Sequence, residues 1–221
     1  MPTSTRKGRV YVPDPIDQSL LARSPVRQSL PIRRVAGWEV SAAKTTAELQ
    51  LTDLTPLAKV IMRADPATVG SSLPEFGRAR RVGSGRLLVG SGPDEWMVFG
   101  DAGTDAALVV ELELRFASAT ELVSIIDVTH QGAVFRLSGE DAVRVLEKIC
   151  AIDLSDRASP DGTAFRSRVA GVECLVVRDD RDGRRAYLVH ADRSYGQYLF
   201  DVLLDAGAEF SLAVAGYPEH F

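Results

Sequence analysis

The residues best equipped for autonomous chemistry in this chain are its histidines, cysteines, glycine runs and one acidic cluster. Their spacing withholds most of that chemistry. His130, His190 and His220 lie far apart, and no H-x-x-x-H, H-E-x-x-H or neighbouring cysteine pair offers zinc-ligand spacing. Cys150 and Cys174 form no CxxC, and a single pair is no disulfide framework. They read as buried, inert thiols of a reducing compartment. No G-x-S-x-G nucleophile elbow occurs. Val82-Gly83-Ser84-Gly85 and Gly90-Ser91-Gly92-Pro93 are glycine-rich, but neither completes G-x-G-x-x-G or ends in G-K-[ST]. Without that lysine and hydroxyl they read as turns rather than phosphate cradles. Asp179-Asp180-Arg181-Asp182-Gly183 lacks the first and last ligands of a calcium loop, so a solvated hairpin tip with a D-G turn is expected.

What remains are groups suited to contact rather than reaction. His130 begins a turn between two predicted strands, where it can pair with Asp127, face a partner or simply hold the turn. Trp96 follows Pro93-Asp94-Glu95 at a predicted hairpin and is expected to pack inward with its N–H bonded. Trp38 reads equally as core or interface. It follows a segment of distinct composition. Residues 1–34 hold seven Lys/Arg and two Asp, a balance of +5 within a chain of net charge −4, and carry prolines at 2, 13, 15, 25 and 31. Prolines so spaced oppose a long helix. The segment reads either as a disordered tail or as an arm that orders against an acidic surface, a partner's or the chain's own.

The elements that must position these groups alternate strand and helix. Ala47–Leu54 and Lys59–Arg63 read as strands, and Asp65–Val69 as a short helix. Leu87–Val89 and Trp96–Phe99 form a predicted hairpin. Thr104 is expected to cap a helix reaching about Phe116, with Leu108 and Leu112 inward. Leu122–Thr129 and Ala133–Leu137 follow as strands. Ser138 and Asp141 then supply an S-x-x-D helix start, and Ala142, Val145, Leu146 and Ile149 make one apolar face. Thr163–Val169, Val172–Arg178 and Arg185–His190 read as antiparallel strands. Ser194 is expected to cap a last helix with Tyr195, Tyr198, Leu199, Val202, Leu203 and Ala206 inward, stopped by Gly207.

The order repeats. Leu51–Thr55 matches Ile125–Thr129 at an offset of 74, Val60-Ile61 matches Val134-Phe135 at the same offset, and Asp65–Ala67 matches Glu140–Ala142 after a one-residue slip. The run is short, so shared local β-β-α physics also accounts for it. The expected fold class is α+β: two similar subdomains, each an antiparallel sheet with helices on one face. The expected division is a basic arm at 1–34, a first subdomain at 35–117, and a second at 118–221 with a short C-terminal tail.

Composition bounds the function. The chain has 221 residues, 45% hydrophobic and 25% charged, with a pI of about 5.5. That is ordinary for a soluble globular protein, and nucleic-acid or acidic-membrane binding is not expected. No apolar run approaches the ~20 residues of a membrane helix. The basic N-terminus has no apolar stretch behind it, so no signal peptide is expected and the location reads as cytoplasmic.

Several runs together resemble a known family. GPDEWMVF (Gly92–Phe99), IIDVTHQGAVFRLSGEDAVRVLEKICAIDL (Ile125–Leu154) and DRSYGQYLFDVLLDAG (Asp192–Gly207) resemble the gamma subunit of heterotetrameric sarcosine oxidase, and ARSPV (Ala22–Val26) resembles the start of the shared region. That family is similar to the folate-binding half of the glycine-cleavage T-protein, so the resemblance implies a T-protein folate-binding-like fold. In T-proteins a Gly-Ile-x-Asp-Asp-Leu segment presents an acidic residue to folate. The matching run here is Gly171–Leu175, with Cys174 at the expected aspartate and Glu173 before it. A thiol cannot supply that carboxylate's charge.

The resemblance implies a non-catalytic assembly subunit of a flavoenzyme that oxidatively demethylates sarcosine to glycine, with one-carbon transfer to tetrahydrofolate. It implies alpha, beta and delta partners. FAD, FMN, NAD, tetrahydrofolate and zinc are expected in those other subunits, with no cofactor, metal or catalytic residue assigned to this chain alone. Arg27, Arg33, Arg34, Trp38, His130 and Arg193 are the residues expected to face partners. The alternatives are a stand-alone T-protein-like folate binder and the equivalent subunit of a related N-methyl amino acid dehydrogenase.

Overall fold

The computed structural model describes residues 21–83 and 85–221. The first strands are β1 (Ala22–Arg23), β2 (Ile32–Val35), β3 (Trp38–Ser41), β4 (Gln50–Asp53) and β5 (Ala58–Arg63). Helix α1 (Pro66–Val69) precedes β6 (Ala79–Arg81), β7 (Leu87–Gly92) and β8 (Glu95–Gly100). Helix α2 (Asp105–Arg115) leads to β9 (Ser124–Asp127) and β10 (Gly132–Ser138), and α3 (Ala142–Glu147) to β11 (Ala164–Val169), β12 (Val172–Arg178) and β13 (Ala186–Asp192). Helix α4 (Gly196–Gly207) and β14 (Ala213–Ala215) end the order.

The strands form a three-stranded sheet β1-β3-β2, a six-stranded sheet β11-β12-β13-β10-β4-β14 and a five-stranded sheet β6-β7-β8-β5-β9. Period-two alternation explains how the large sheets stack. On β12, Val172, Cys174 and Val176 join one core with α3 and α4, whereas Leu175 and Val177 join a second core facing the five-stranded sheet. On β8, Met97 and Phe99 meet that second core, while Trp96 and Val98 turn to a third beneath Leu108 and Leu112 of α2. The layers therefore run helix, sheet, sheet, helix, an α+β arrangement with helices on the outer face of each large sheet.

The repeat has a structural form that its sequence match only hints at. Strand β4 pairs with β10 in the six-stranded sheet, and its counterpart β9 pairs with β5 in the five-stranded one. Each half thus lends its first strand to the other half's sheet. The loop after each lent strand is built alike. Asp53 Oδ1 accepts from Thr55 N (3.0 Å) and Asp127 Oδ1 from Thr129 N (2.8 Å), an Asx turn in both. Thr55 Oγ1 then accepts from Val134 N (3.3 Å), and Thr129 Oγ1 from Lys59 N (3.0 Å). Lys59 is therefore the counterpart of Val134. The one-residue slip falls between Thr129 and Val134, not after Ile61 and Phe135 as the residue match suggested.

Helix starts differ from expectation. Thr104 stands at the N-cap of α2, but its hydroxyl donates to Asp101 O (2.8 Å) and caps nothing. Asp141 is the N-cap of α3 without a side-chain cap bond, being paired with Arg144, and Ser138 ends β10. Ser194 lies in a 3-10 turn (Arg193–Tyr195) rather than capping α4. Tyr195 and Tyr198 are half exposed because that turn rotates them outward, and Phe200 takes the inner position instead. Among the described residues only Asp65 caps a helix through its side chain, accepting from Ala67 N at 2.8 Å. Both cysteines are free and buried. Trp96 is buried with its N–H donated to Pro74 O at 2.8 Å.

The acidic run divides into two. Asp182 and Gly183 both take positive φ in the two-residue turn between Arg181 and Arg184, the geometry a D-G hairpin tip requires. Asp179, expected to be solvated, is instead buried. Its carboxylate receives the Arg81 guanidinium (2.5 Å) and that of Arg136 (3.4 Å). The two cations need a desolvated counter-charge, and the Phe221 ring lies 4.4 Å from Arg81 and 5.3 Å from Arg136.

Candidate functional site

Trp38, His130 and Arg193 come from three separate places in the sequence and meet on one face. Trp38 opens β3 and is 3% exposed, because the His130 imidazole stacks on its indole with ring centres 4.9 Å apart and planes 12° from parallel. His130 reaches it from the loop between β9 and β10, where the Asp127 turn fixes the backbone. Arg193 reaches it from the 3-10 turn before α4, its guanidinium 5.9 Å from the Trp38 ring. Arg193 N donates to Gln131 O (2.8 Å), which locks the two loops together. The guanidinium also donates to Arg23 O, while its Nη1 is buried without a hydrogen-bond partner. A shallow open depression lined by Pro25, His130, Gln131, Asp192, Arg193 and Ser194 lies here. The cluster thus sets an exposed imidazole over a buried indole, beside a guanidinium with one donor unmet among the described residues.

The described part of the arm, residues 21–34, is laid on the body of the chain. Val26 is buried in the core under α4, and Pro25 occupies the space a Cβ on Gly196 would take, at 2.3 Å. Gln28 Nε2 donates to Asp53 Oδ2 (2.7 Å) and its Oε1 accepts from Ser41 N (2.9 Å). Arg27 is exposed, anchored only through its backbone N–H to Gln197 Oε1 (2.8 Å). Arg34 is exposed on β2, opposite Glu39 of β3. Arg33 is used internally, donating to Tyr217 O at 2.7 Å and Pro218 O at 3.3 Å. The structure thus gathers Trp38, His130 and Arg193, sets Arg27 beside the start of α4, and places Arg33 and Arg34 on β2. Residues 1–20 lie outside the described residues.

Sequence reasoning passed over a second feature, a cavity of about 630 Å³ between the two large sheets. Its floor is the β11-β12-β13 face, where Arg166, Leu175 and His190 stand in one cross-strand row. Its roof is Ile61 and Met97, paired across β5 and β8. Arg166 and Arg168 at alternate positions of β11 were the available signal, but they do not say which face meets the other sheet. Glu173 lines this cavity, whereas Cys174 points the other way, buried with its thiol at 3.4 Å from Val172 O. Burial pushes that thiol up to about 12. The Gly171–Leu175 run therefore does not fit the folate-facing carboxylate implied at Cys174: that side chain belongs to the core.

At the cavity wall the Arg166 guanidinium crosses to the five-stranded sheet, donating to Ser91 O (3.2 Å) and Glu95 Oε1 (2.7 Å). Burial alone would raise the Glu95 carboxyl. The hydrogen bonds from Arg63 and Ser91 and the Arg166 charge outweigh it and hold the group below the usual range. No group of three or more His, Cys, Asp or Glu suited to a metal ion occurs among the described residues.

Comparison with known proteins identifies the fold's relatives. The model of the GCVT N-terminal domain matches residues 87–219, more than half of the chain. The chain belongs to the GCVT N-terminal domain family. Among relatives of this GCVT-family chain, the sarcosine oxidase subunit gamma of Corynebacterium sp. (strain P-1) is 26% identical over 86% of this chain and 98% of that protein. The gamma subunit of Arthrobacter sp. is 29% identical over 66% and 68%. The chain is thus a homologue of sarcosine oxidase gamma subunits.

A chain of the heterotetrameric sarcosine oxidase from Corynebacterium sp. U-96 superposes with a TM-score of 0.65 at 25% identity, covering 78% of this chain and 91% of that one. The glycine cleavage aminomethyltransferase T from Bartonella henselae superposes at 0.66 with 17% identity, which shows a shared fold and covers only 55% of that protein. Relatives of the first kind act within a complex of several subunits. Among the described residues no helix is long and apolar enough to cross a membrane.

Proposed function

We propose that this chain is the gamma subunit of a heterotetrameric sarcosine oxidase and contributes docking surface rather than reacting groups. The observation that carries this reading is extent. The similarity spans 98% of a gamma subunit but only 33% of the aminomethyltransferase from Saccharopolyspora erythraea. In this reading the alpha, beta and delta partners hold FAD, FMN, NAD, tetrahydrofolate and zinc. The assembly is cytoplasmic and demethylates sarcosine to glycine.

The docking face is the Trp38–His130 stack with Arg193, flanked by Arg27 and Arg34. Its support is physical: an imidazole stacked on a buried indole and a guanidinium held by Arg23 O lose little conformational freedom on association. Co-expression with the neighbouring large flavoprotein subunits and a small Cys/His-rich subunit tests the assignment. Elution as one sarcosine-oxidising complex is expected. Elution alone, with tight tetrahydrofolate binding by calorimetry, would replace it with a stand-alone folate binder.

A further inference from the structure

The cavity between the sheets carries groups that the docking reading leaves unused. His190 lies on its floor, its ring edge against Phe99 at 6.0 Å. A Cβ on Gly132 would meet His190 Nε2 at 2.2 Å, so the ring packs where a side chain on β10 would stand. Neither ring nitrogen of His190 has a hydrogen-bond partner among the described residues, and Arg168 at the cavity mouth has no ion-pair partner there either. Its cross-strand neighbour Glu173 also lines the mouth, together with Asp192.

From this juxtaposition we propose that the cavity binds a small organic monocarboxylate, its apolar body under Ile61 and Met97 and its carboxylate between His190 and the Arg166/Arg168 edge. Its volume suits a small ligand, since such sites typically run to about 300–1,000 Å³, and its largely polar lining suits a charged one. Burial and the Lys59 and Arg166 cations push His190 down to about 3. The imidazole is then neutral and offers one N–H donor, in a place that the Arg166 and Arg168 guanidinium groups make favourable to a negative charge. The carboxylates of Glu173 and Asp192 at the mouth oppose a second negative charge. That favours a monocarboxylate over a phosphate or dicarboxylate. This inference does not depend on the assembly role, because it concerns the chain alone.

Benzoate titrated into the full chain, followed by the histidine ring resonances, tests it. His190→Gln identifies the His190 signal. Benzoate is expected to move that signal saturably, and benzylammonium, the same ring with the opposite charge, is not. Arg168→Glu, at an exposed position, should weaken benzoate by about tenfold, the worth of one charge-assisted contact. Gly132→Ala, whose Cβ would collide with Nε2, should displace the imidazole and abolish binding. The proposal is overturned if benzoate does not saturate, if benzylammonium acts equally, or if Arg168→Glu leaves affinity unchanged. Arg168→Glu decides the matter even where Gly132→Ala fails to fold.

Discussion

Lys59 is buried to 0% exposure with no carboxylate in ion-pair contact among the described residues. Its Nζ donates to Thr55 O (2.8 Å) and Leu57 O (2.7 Å). Loss of water outweighs the attraction of Asp53 and Asp127, and its pKa falls to about 7. In the unfolded chain the same amine titrates near ~10.4. Between these values the unfolded state binds more protons, so stability rises with pH. The slope from Lys59 alone approaches about 1.4 kcal/mol per pH unit at most. Above about pH 8.5 the buried Cys174 thiol acts in the opposite direction, since only the unfolded chain releases its proton there. Urea denaturation at pH 7.0, 7.5, 8.0 and 8.5 should therefore show rising stability. Lys59→Met should flatten that rise, and an unchanged slope in the variant would assign the effect elsewhere.

At the scale of elements, the paired Asp-x-Thr loops hold the two sheets in register. Thr55 and Thr129 are both buried, and each hydroxyl accepts a backbone N–H from the other half. Replacing either by valine keeps the volume but strips a buried amide of its acceptor, at a cost of about 1–3 kcal/mol. Thermal denaturation of Thr55→Val and Thr129→Val should show comparable losses, whereas a large loss from one alone would deny the loops equal roles.

The same loops show how far the sequence could be read. Leu51–Thr55 and Ile125–Thr129 declared themselves as a repeat, and the strands alternate as they should. That β4 and β9 exchange sheets was hidden, because pairing across the molecule leaves no local signature. The helix starts misled for a local reason: Thr104 turned its hydroxyl back to Asp101 O, Asp141 paired with Arg144, and Ser194 fell inside a 3-10 turn. Trp38 and His130 stood out in the sequence, but their stacking did not, since it depends on where β3 lies against the loop after β9.

At the scale of the whole molecule, the Arg81–Asp179–Arg136 group ties the five-stranded sheet to the six-stranded one, with Phe221 over both cations. Burial lowers Arg136 to about 10, yet it remains charged at neutral pH. Asp179→Ala would leave two desolvated cations facing each other, a loss of about 3–5 kcal/mol. Guanidinium denaturation should register it as a lowered midpoint. A change under 1 kcal/mol would mean that water replaces the carboxylate.

The exposed cations call for the opposite outcome. Arg27 and Arg34 are exposed, and neither guanidinium has a hydrogen-bond or ion-pair partner among the described residues. Replacing exposed, unpaired charges usually changes stability by less than about 0.5 kcal/mol. Arg33 differs, because its guanidinium fastens β2 to Tyr217 and Pro218. An Arg27→Glu, Arg34→Glu double variant should therefore melt like the parent chain. If these residues meet acidic surface on the large subunits, the same variant should be displaced from the complex at low salt, and less readily as salt screens the new repulsion. Arg33→Glu should instead lower the melting temperature of the isolated chain. Size-exclusion chromatography of the co-expressed subunits beside melting curves of the chain alone separates the two effects. Full retention of the double variant at low salt would remove Arg27 and Arg34 from the docking face and leave Trp38, His130 and Arg193 to carry it.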